Sequence, residues 1–208
     1  LQGTLAQFAD GSLNFTPTAG FTGTTGYTYV VSDGMGGTDT GSVTFNVVNA
    51  APVAGDDSYS VHAGQVLDVA LPGVLGNDTD ADGDALAVQI VDVTGLQGSL
   101  VQSADGSLRF TPTAGFTGTT SFNYVLSDGF GGTDVGTVSI DVTNTAPVAD
   151  DETLYVWRNG SLDIPARGVL TGDTDADGDS LVVQSVDVTG LQGTLAQFAD
   201  GSLNFTPT

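Results

Sequence analysis

The sequence predicts an all-β chain of tandem sandwich modules, and three observations carry that expectation. Apolar and polar residues alternate with a period of two over short stretches. Gly, Asn, Asp and Pro punctuate those stretches, with 30 glycines and seven prolines among 208 residues. The pattern also returns every 95 residues: Leu1-Gln2-Gly3 recurs at Leu96 and Leu191, Ser32-Asp33-Gly34 at Ser127, and Ala51-Pro52-Val53 at Ala146. Taking the Ala-Pro-Val segments as linkers, residues 1–49 are the back of one module, 50–144 a whole one and 145–208 the front of a third.

The whole module can be taken strand by strand. A first strand is expected near Tyr59 and Val61, and a second over Val66–Val69 with Leu67 and Val69 inward. A third runs from about Leu86 to Val93, with Leu86, Val88 and Ile90 on one face. Ser99–Ser103 is turned by Ala104-Asp105-Gly106 into Leu108–Thr111. In Phe122–Ser127 the residues Phe122, Tyr124 and Leu126 share a face, and in Val135–Thr143 so do Val138, Ile140 and Val142. No helical segment of useful length is expected. Seven short strands in 95 residues is the pattern of an Ig-like sandwich.

Residues 1–18 and 191–208 are identical, whereas the middle copy, 96–113, differs from them at four positions. Two kinds of module therefore alternate, with a superperiod of 190 residues. The chain reads either as a window on a longer array or as a unit whose split terminal modules complement one another between molecules.

Lys+Arg number 3 against 25 Asp+Glu, a formal charge of −22, and the cations are Arg109, Arg158 and Arg167. Nucleic acid and anionic membrane surfaces are poor partners for such a chain, because both require positive charge against phosphate. Hydrophobic residues at 39% are enough for packed cores, so folding is expected. Cysteine is absent, which removes disulfides and thiolate zinc sites as staples. No signal peptide is evident and no apolar run approaches 18 residues, so no membrane insertion is expected.

The acids are not scattered. Asp78-Thr79-Asp80-Ala81-Asp82-Gly83-Asp84 returns unchanged at Asp173, Asp175, Asp177 and Asp179. Carboxylates at alternate positions, with a glycine for the tight turn, can aim several oxygens at one hard cation. If strands run alternately down and up, nine carboxylates reach one pole of the whole module: Asp56, Asp57, Asp78, Asp80, Asp82, Asp84, Asp105, Asp128 and Asp134. Asp151 and Glu152 are the counterparts of the first two in the third module, and Asp33 and Asp39 match Asp128 and Asp134 in the first. Repulsion among so many like charges, with no lysine nearby, is relieved most simply by divalent cations. Ca2+ suits the set better than Mg2+, since it accepts about 6–8 oxygens in irregular geometry. Zinc would need His or Cys, and only His62 is present.

Asp-x-Asp-x-Asp-Gly opens an EF-hand loop, but Gln89 and Gln184 stand where that loop places its bidentate Glu, and strands flank it. A calcium loop completed by other segments is expected instead. Calcium at the linker would stiffen the joint to the preceding repeat, with Pro52 and Pro147 restricting the connector and Asp92 and Asp187 reaching across from the far pole.

Several motifs together resemble a known family. They are Ala-Pro-Val-Ala-x-Asp-Asp, Gly-Val-Leu-x-x-Asp-Thr-Asp-Ala-Asp-Gly-Asp-x-Leu, Asp-Gly-Ser-Leu-x-Phe-Thr-Pro-Thr-Ala-Gly-Phe-x-Gly and Ser-Asp-Gly-x-Gly-Gly-Thr-Asp. Their order resembles the cadherin-like, Ig-like tandem repeats of large bacterial surface proteins: repeat-in-toxin adhesins, biofilm-associated proteins and the repeats called VCBS. The resemblance covers essentially the whole chain. It implies a calcium-stiffened extender outside the cell, exported by type I secretion in many relatives, with ligand-binding heads in other domains. Gly55 against Asp150, and Asn77 against Gly172, suggest that the two junctions need not bind metal identically.

No enzyme is expected. His62 is replaced by Trp157 one period on, no His sits beside an acid in each repeat, and no phosphate loop with lysine occurs. His62 reads as a surface position at a strand end, and Phe-Thr-Pro-Thr-Ala-Gly-Phe as a seal for the sandwich base. The expected role is an extracellular stalk, filament or matrix component whose partners are its neighbouring repeats. A carbohydrate or surface ligand, with Trp157-Arg158 as contact, and homotypic filament contacts are the alternatives.

Overall fold

The structure, a computed structural model, describes residues 1–208. The first stretch holds two antiparallel hairpins, β1 (Gly3–Gln7) with β2 (Leu13–Pro17) and β3 (Gly23–Ser32) with β4 (Thr38–Val47). They face one another through aromatic rings: Phe15 stacks on Phe45 with centroids 4.2 Å apart and planes 9° from parallel.

The middle stretch has seven strands: β5 (Asp57–His62), β6 (Leu67–Val69), β7 (Ala87–Asp92), β8 (Gly98–Gln102), β9 (Leu108–Pro112), β10 (Gly118–Ser127) and β11 (Thr133–Thr143). They form a four-stranded sheet, β5-β11-β10-β7, and a three-stranded sheet, β6-β9-β8. β5 runs parallel to β11, pairing Asp57 with Val138 and His62 with Thr143, so both strands start at the same pole. The chain is all-β, and its only helical turns are short 3-10 segments at Gly73–Gly76 and Gly168–Leu170.

The inward faces are those of the period-two pattern. Phe122, Tyr124 and Leu126 of β10, Val138, Ile140 and Val142 of β11 and Phe110 of β9 are buried, and Leu67, Val69, Leu100 and Phe116 close in around them. Burial of each such side chain contributes roughly 1.5–3 kcal/mol. β7 departs from the expected alternation. Val125 of β10 pairs with Ile90 and its neighbour Leu126 with Val88, so Gln89 is an extra residue, a β-bulge. The bulge reverses the faces beyond it: Val88 and Val91 pack on the core, whereas Ile90 is 62% exposed.

Two close approaches fix how the loops meet the sheets. A Cβ at Gly73 would lie 1.9 Å from the Gly106 carbonyl oxygen, and one at Gly136 would lie 2.4 Å from the Tyr124 ring. Only glycine allows the first 3-10 segment to reach the β8–β9 turn, where Val74 N–H donates to Gly106 O at 3.0 Å.

The third stretch has one three-stranded sheet, from β12 (Leu162–Ile164), β13 (Gly193–Gln197) and β14 (Leu203–Pro207) in the order β12-β14-β13. Residues 152–157 and 182–187, the counterparts of β5 and β7, form no ladder. In the middle stretch those two strands pair only with β11 and β10, and residues 145–208 contain no counterpart of either.

Candidate metal centre

The segment between β6 and β7 crosses the leading pole of the middle module and is pinned there by a two-way bridge, Val53 N–H to Thr79 O at 2.8 Å and Thr79 N–H to Val53 O at 3.0 Å. The pole carries two groups of carboxylates rather than one. In the inner group Asp78 Oδ1 accepts from Gly55 N–H at 2.8 Å and from the Tyr124 hydroxyl at 2.9 Å. Asp134 Oδ2 accepts from Ala54 N–H at 2.9 Å, and Asp56 Oδ1 from Thr137 N–H at 2.9 Å. Asp57 Oδ2 is buried without a hydrogen-bond partner. Burial, followed by the charge of Asp78, pushes the Asp57 carboxyl up to about 6. Burial also raises Asp78, against the pull of the Gly55 amide and the Tyr124 hydroxyl. Asp134 is held below the usual range by the amides of Ala54 and Val135.

In the outer group one oxygen from each of Asp80, Asp82 and Asp84 lies within 4.8 Å of the others. Asp80 Oδ1 accepts from the amides of Asp82 at 2.8 Å and Asp84 at 3.2 Å, which leaves Oδ2 buried and unpartnered. Asp84 is raised by burial, then by Asp80, Asp82 and Asp128. Burial pushes Asp128 upward, but Asn49 Nδ2 at 2.6 Å and the amides of Phe130 and Gly132 outweigh it and lower the group. Asp82 Oδ2 accepts from Ala50 N–H at 2.7 Å. The outer group thus grips the linker itself.

The third stretch rebuilds this loop. Asp175, Asp177 and Asp179 form a second trio, and Asp175 Oδ1 accepts from the amides of Asp177 and Asp179 at 2.9 and 3.2 Å. Asp177 accepts from Thr145 N–H, and Thr145 Oγ1 donates to its other oxygen at 3.3 Å. His62 Nδ1, at 3.7 Å from Asp177 and 3.2 Å from Thr145 Oγ1, joins this contact, so His62 borders the joint to the third stretch while remaining exposed. A third trio, Asp150, Glu152 and Asp173, has no three-residue counterpart in the middle module. Asp151 belongs to none of these trios.

Other expected ligands stand apart. The β8–β9 turn does reach the leading pole, but Asp105 Oδ1 accepts from Ser107 N–H at 3.0 Å and from its hydroxyl at 2.6 Å, and these bonds lower its pKa. Asp92 and Asp187 likewise cap their own turns through Thr94 and Thr189 and do not reach across. Asp33 accepts from the amides of Met35 and Gly37, and Asp39 from Thr40 N–H; neither belongs to a trio. Asn49, Ala54, Gly55, Thr145 and Tyr124 hold the carboxylates but were absent from the expected ligand set. The recurrence of Asn49 at Asn144, just ahead of each Ala-Pro-Val, was a legible signal for the first.

The donor set is all oxygen, and each group of the middle module contains a buried carboxylate oxygen with no hydrogen-bond donor, Asp57 Oδ2 and Asp80 Oδ2. Both features fit a hard divalent cation. Residues 49–144 match the family model of the bacterial cadherin-like domain, residues 1–46 that of the bacterial Ig domain and residues 143–208 that of the cadherin-like domain. The chain is composed of bacterial cadherin-like and Ig-like domains.

The cadherin-like chain is 31% identical over 140 residues to the calcium-binding lectin RapA2 of Rhizobium johnstonii, a match covering 56% of this chain and 58% of that protein. It therefore spans little more than half the length of that curated relative. Among solved structures, an endo-fucoidan hydrolase of glycoside hydrolase family 107 aligns with 100% of this chain and 33% of its own, at 20% identity and a TM-score of 0.38. The human desmocollin-1 ectodomain aligns with 100% and 43%, at 13% identity and a TM-score of 0.32. Neither structural likeness bears on function.

Proposed function

We propose that these domains form a calcium-stiffened extender of an extracellular, adhesin-like bacterial protein, divided into modules at 1–49, 50–144 and 145–208. The observation that carries this reading is the pair of unpartnered buried oxygens, Asp57 Oδ2 and Asp80 Oδ2, the second within the carboxylate group that also holds the linker at Asn49 and Ala50. Asp80, Asp82 and Asp84, whose oxygens already converge, would surround one ion with Asp128 beside them, and Asp56, Asp57, Asp78 and Asp134 would draw together around another. Bound Ca2+ would cancel the repulsion at the pole and lock the linker against it. The joint then changes from a hinge to a stiff coupling, and the direct partners are the neighbouring repeats.

Differential scanning calorimetry and small-angle scattering in millimolar Ca2+, in EGTA and in Mg2+ test this. The expected result is a markedly higher melting temperature and an extended, stiff particle in Ca2+ alone. An identical melt in EGTA refutes it. A second reading, carbohydrate binding, is favoured by the likeness to a calcium-binding lectin and by Trp157, which is 89% exposed. Glycan-array binding abolished by Trp157→Ala would support that reading, and an array without signal would remove it.

A further inference from the structure

Two sheet edges and two strand-like segments of this chain lie unpaired, and they match. In the middle module β5 pairs with β11 and β7 with β10, whereas the β3–β4 hairpin, the counterpart of β10–β11, stands as a two-stranded sheet with both outer edges free. Residues 152–157 and 182–187, the counterparts of β5 and β7, have no ladder. The faces match as the edges do. Tyr29 and Val31 are 45% and 52% exposed, although their counterparts Tyr124 and Leu126 are fully buried. In the third stretch a cavity of about 190 Å³ is lined by apolar side chains alone, Leu154, Val156, Leu162, Leu195 and Phe205 among them. Their counterparts Tyr59, Val61, Leu67, Leu100 and Phe110 belong to the core cluster that Tyr124, Leu126, Val138 and Ile140 of β10 and β11 close. The middle module thus shows what covers such a face: a hairpin of the β3–β4 kind.

Residues at the rim tie this face to β3–β4 in particular. At the end of β5, His62 Nδ1 lies 3.2 Å from both Thr143 Oγ1 and Thr145 Oγ1. In the other kind of module all three positions change together, to Trp157, Val48 and Ala50. A polar contact is replaced by an apolar one, and Trp157 and Val48 are 89% and 79% exposed. Transferring the β5–β11 register sets Phe45 beside Leu154, Val47 beside Val156 and Val48 beside Trp157.

We propose that the β3–β4 hairpin of one chain docks between residues 152–157 and 182–187 of a second copy, with Trp157 seated on Val48. A second copy is required because the two halves join opposite poles of the middle module: Asn49 touches Asp128 at the leading pole, whereas Thr145 meets His62 at the other end of β5. The contact is heterologous, so copies add head to tail. β12 already holds β13–β14, whose sequence is that of β1–β2, so Phe205 takes the place of Phe15 on Phe45 and β1–β2 is released. The exchanged hairpins are identical, and the stack that is lost is regained. Two new ladders and the covered apolar face then favour the joined form.

The test is sedimentation velocity of the 1–208 chain over a range of concentrations, in Ca2+ and in EGTA. The wild type is expected to form a concentration-dependent series of oligomers. Trp157→Ala should loosen the association roughly tenfold, the scale of a truncated aromatic anchor. Phe15→Ala and Phe205→Ala, although they fall in identical hairpins, should act oppositely: the first weakens the competing β1–β2 and tightens association, the second loosens it. Asn46→Cys and Tyr155→Cys, exposed positions that the register sets side by side, should form a mixed disulfide on oxidation in preference to either homodimer. A chain that stays monomeric at every concentration overturns the proposal. So do Phe15→Ala and Phe205→Ala shifting association the same way, or cross-linked homodimers as abundant as the mixed species. The docking does not rest on the calcium reading: its failure leaves that reading standing, and an unchanged melt in EGTA leaves the docking standing.

Discussion

Asp57→Asn should change sign with conditions. In the calcium-free protein Asp57 is raised from its model-compound value of 3.8 to about 6 by burial and by Asp78. A carboxyl raised on folding binds its proton more tightly in the folded state than in the unfolded chain. Its favourable contribution is therefore complete below about pH 4 and is lost as pH climbs through about 6. At face value the shift corresponds to about 3 kcal/mol of penalty at neutral pH. Asp57 is only partly buried, so solvent screening reduces this to roughly 1 kcal/mol. Removing the charge should then raise the melting temperature in EGTA at about pH 7.5 by roughly 4 °C and leave it unchanged at about pH 3. In saturating Ca2+ the same substitution should lower it, because a ligand is lost. Asp78, Asp84 and Glu152 are also raised and act in the same direction, whereas the lowered groups, Asp128 and Asp134 among them, lose their contribution only below about pH 4. Calcium-free stability that rises steadily from about pH 4 to 7, or a variant destabilised in both EGTA and Ca2+, would refute the reasoning.

Asp80→Asn/Asp82→Asn should loosen calcium binding at the joint at least tenfold by calorimetry while strand content by circular dichroism persists at high Ca2+, roughly the effect of two missing charges near one ion. Asp105→Ala should leave calcium affinity unaltered, because its Oδ1 is engaged by Ser107 and its carboxylate belongs to none of the converging trios. Gly136→Ala places a methyl 2.4 Å from the Tyr124 ring and should cost about 1–3 kcal/mol in urea denaturation.

The strands of the middle module were legible because alternation and turn chemistry agree there. Phe122, Tyr124, Leu126, Val138, Ile140 and Val142 all point inward as their spacing requires. Ile90 was misread for a reason no period could show. The extra residue Gln89 is defined by its pairing with β10, which is distant in sequence, and the bulge turns an apolar side chain outward. Leu181–Val188 makes the same point. It nearly repeats Leu86–Val93, yet it forms no ladder because no counterpart of β10 lies beside it. Strand pattern is a local property, whereas strand formation requires a partner.

The same distinction separates the acids. Every Asp on the repeat looked equivalent as a source of oxygen, and it is the backbone donors nearby that sort them. Asp105, Asp92 and Asp187 are each followed two residues later by a Ser or Thr whose amide and side chain they engage, so those carboxylates close their own turns. Asp80 engages two amides with one oxygen and leaves the other buried, and Asp57 Oδ2 is buried without a well-formed hydrogen bond, although the Tyr59 hydroxyl lies near the Asp57 carboxylate. A carboxylate with a Ser or Thr two residues on in a tight turn caps that turn through one oxygen and leaves the other exposed to water. In the run of alternating carboxylates Asp80 likewise uses one oxygen, but its other is buried. Asp78 is the intermediate case: the Tyr124 hydroxyl, reaching from the core of the opposite strand, takes the place of the missing turn donor. That tyrosine is read as core by its period, and only the fold reveals that its hydroxyl ends among the carboxylates of the leading pole.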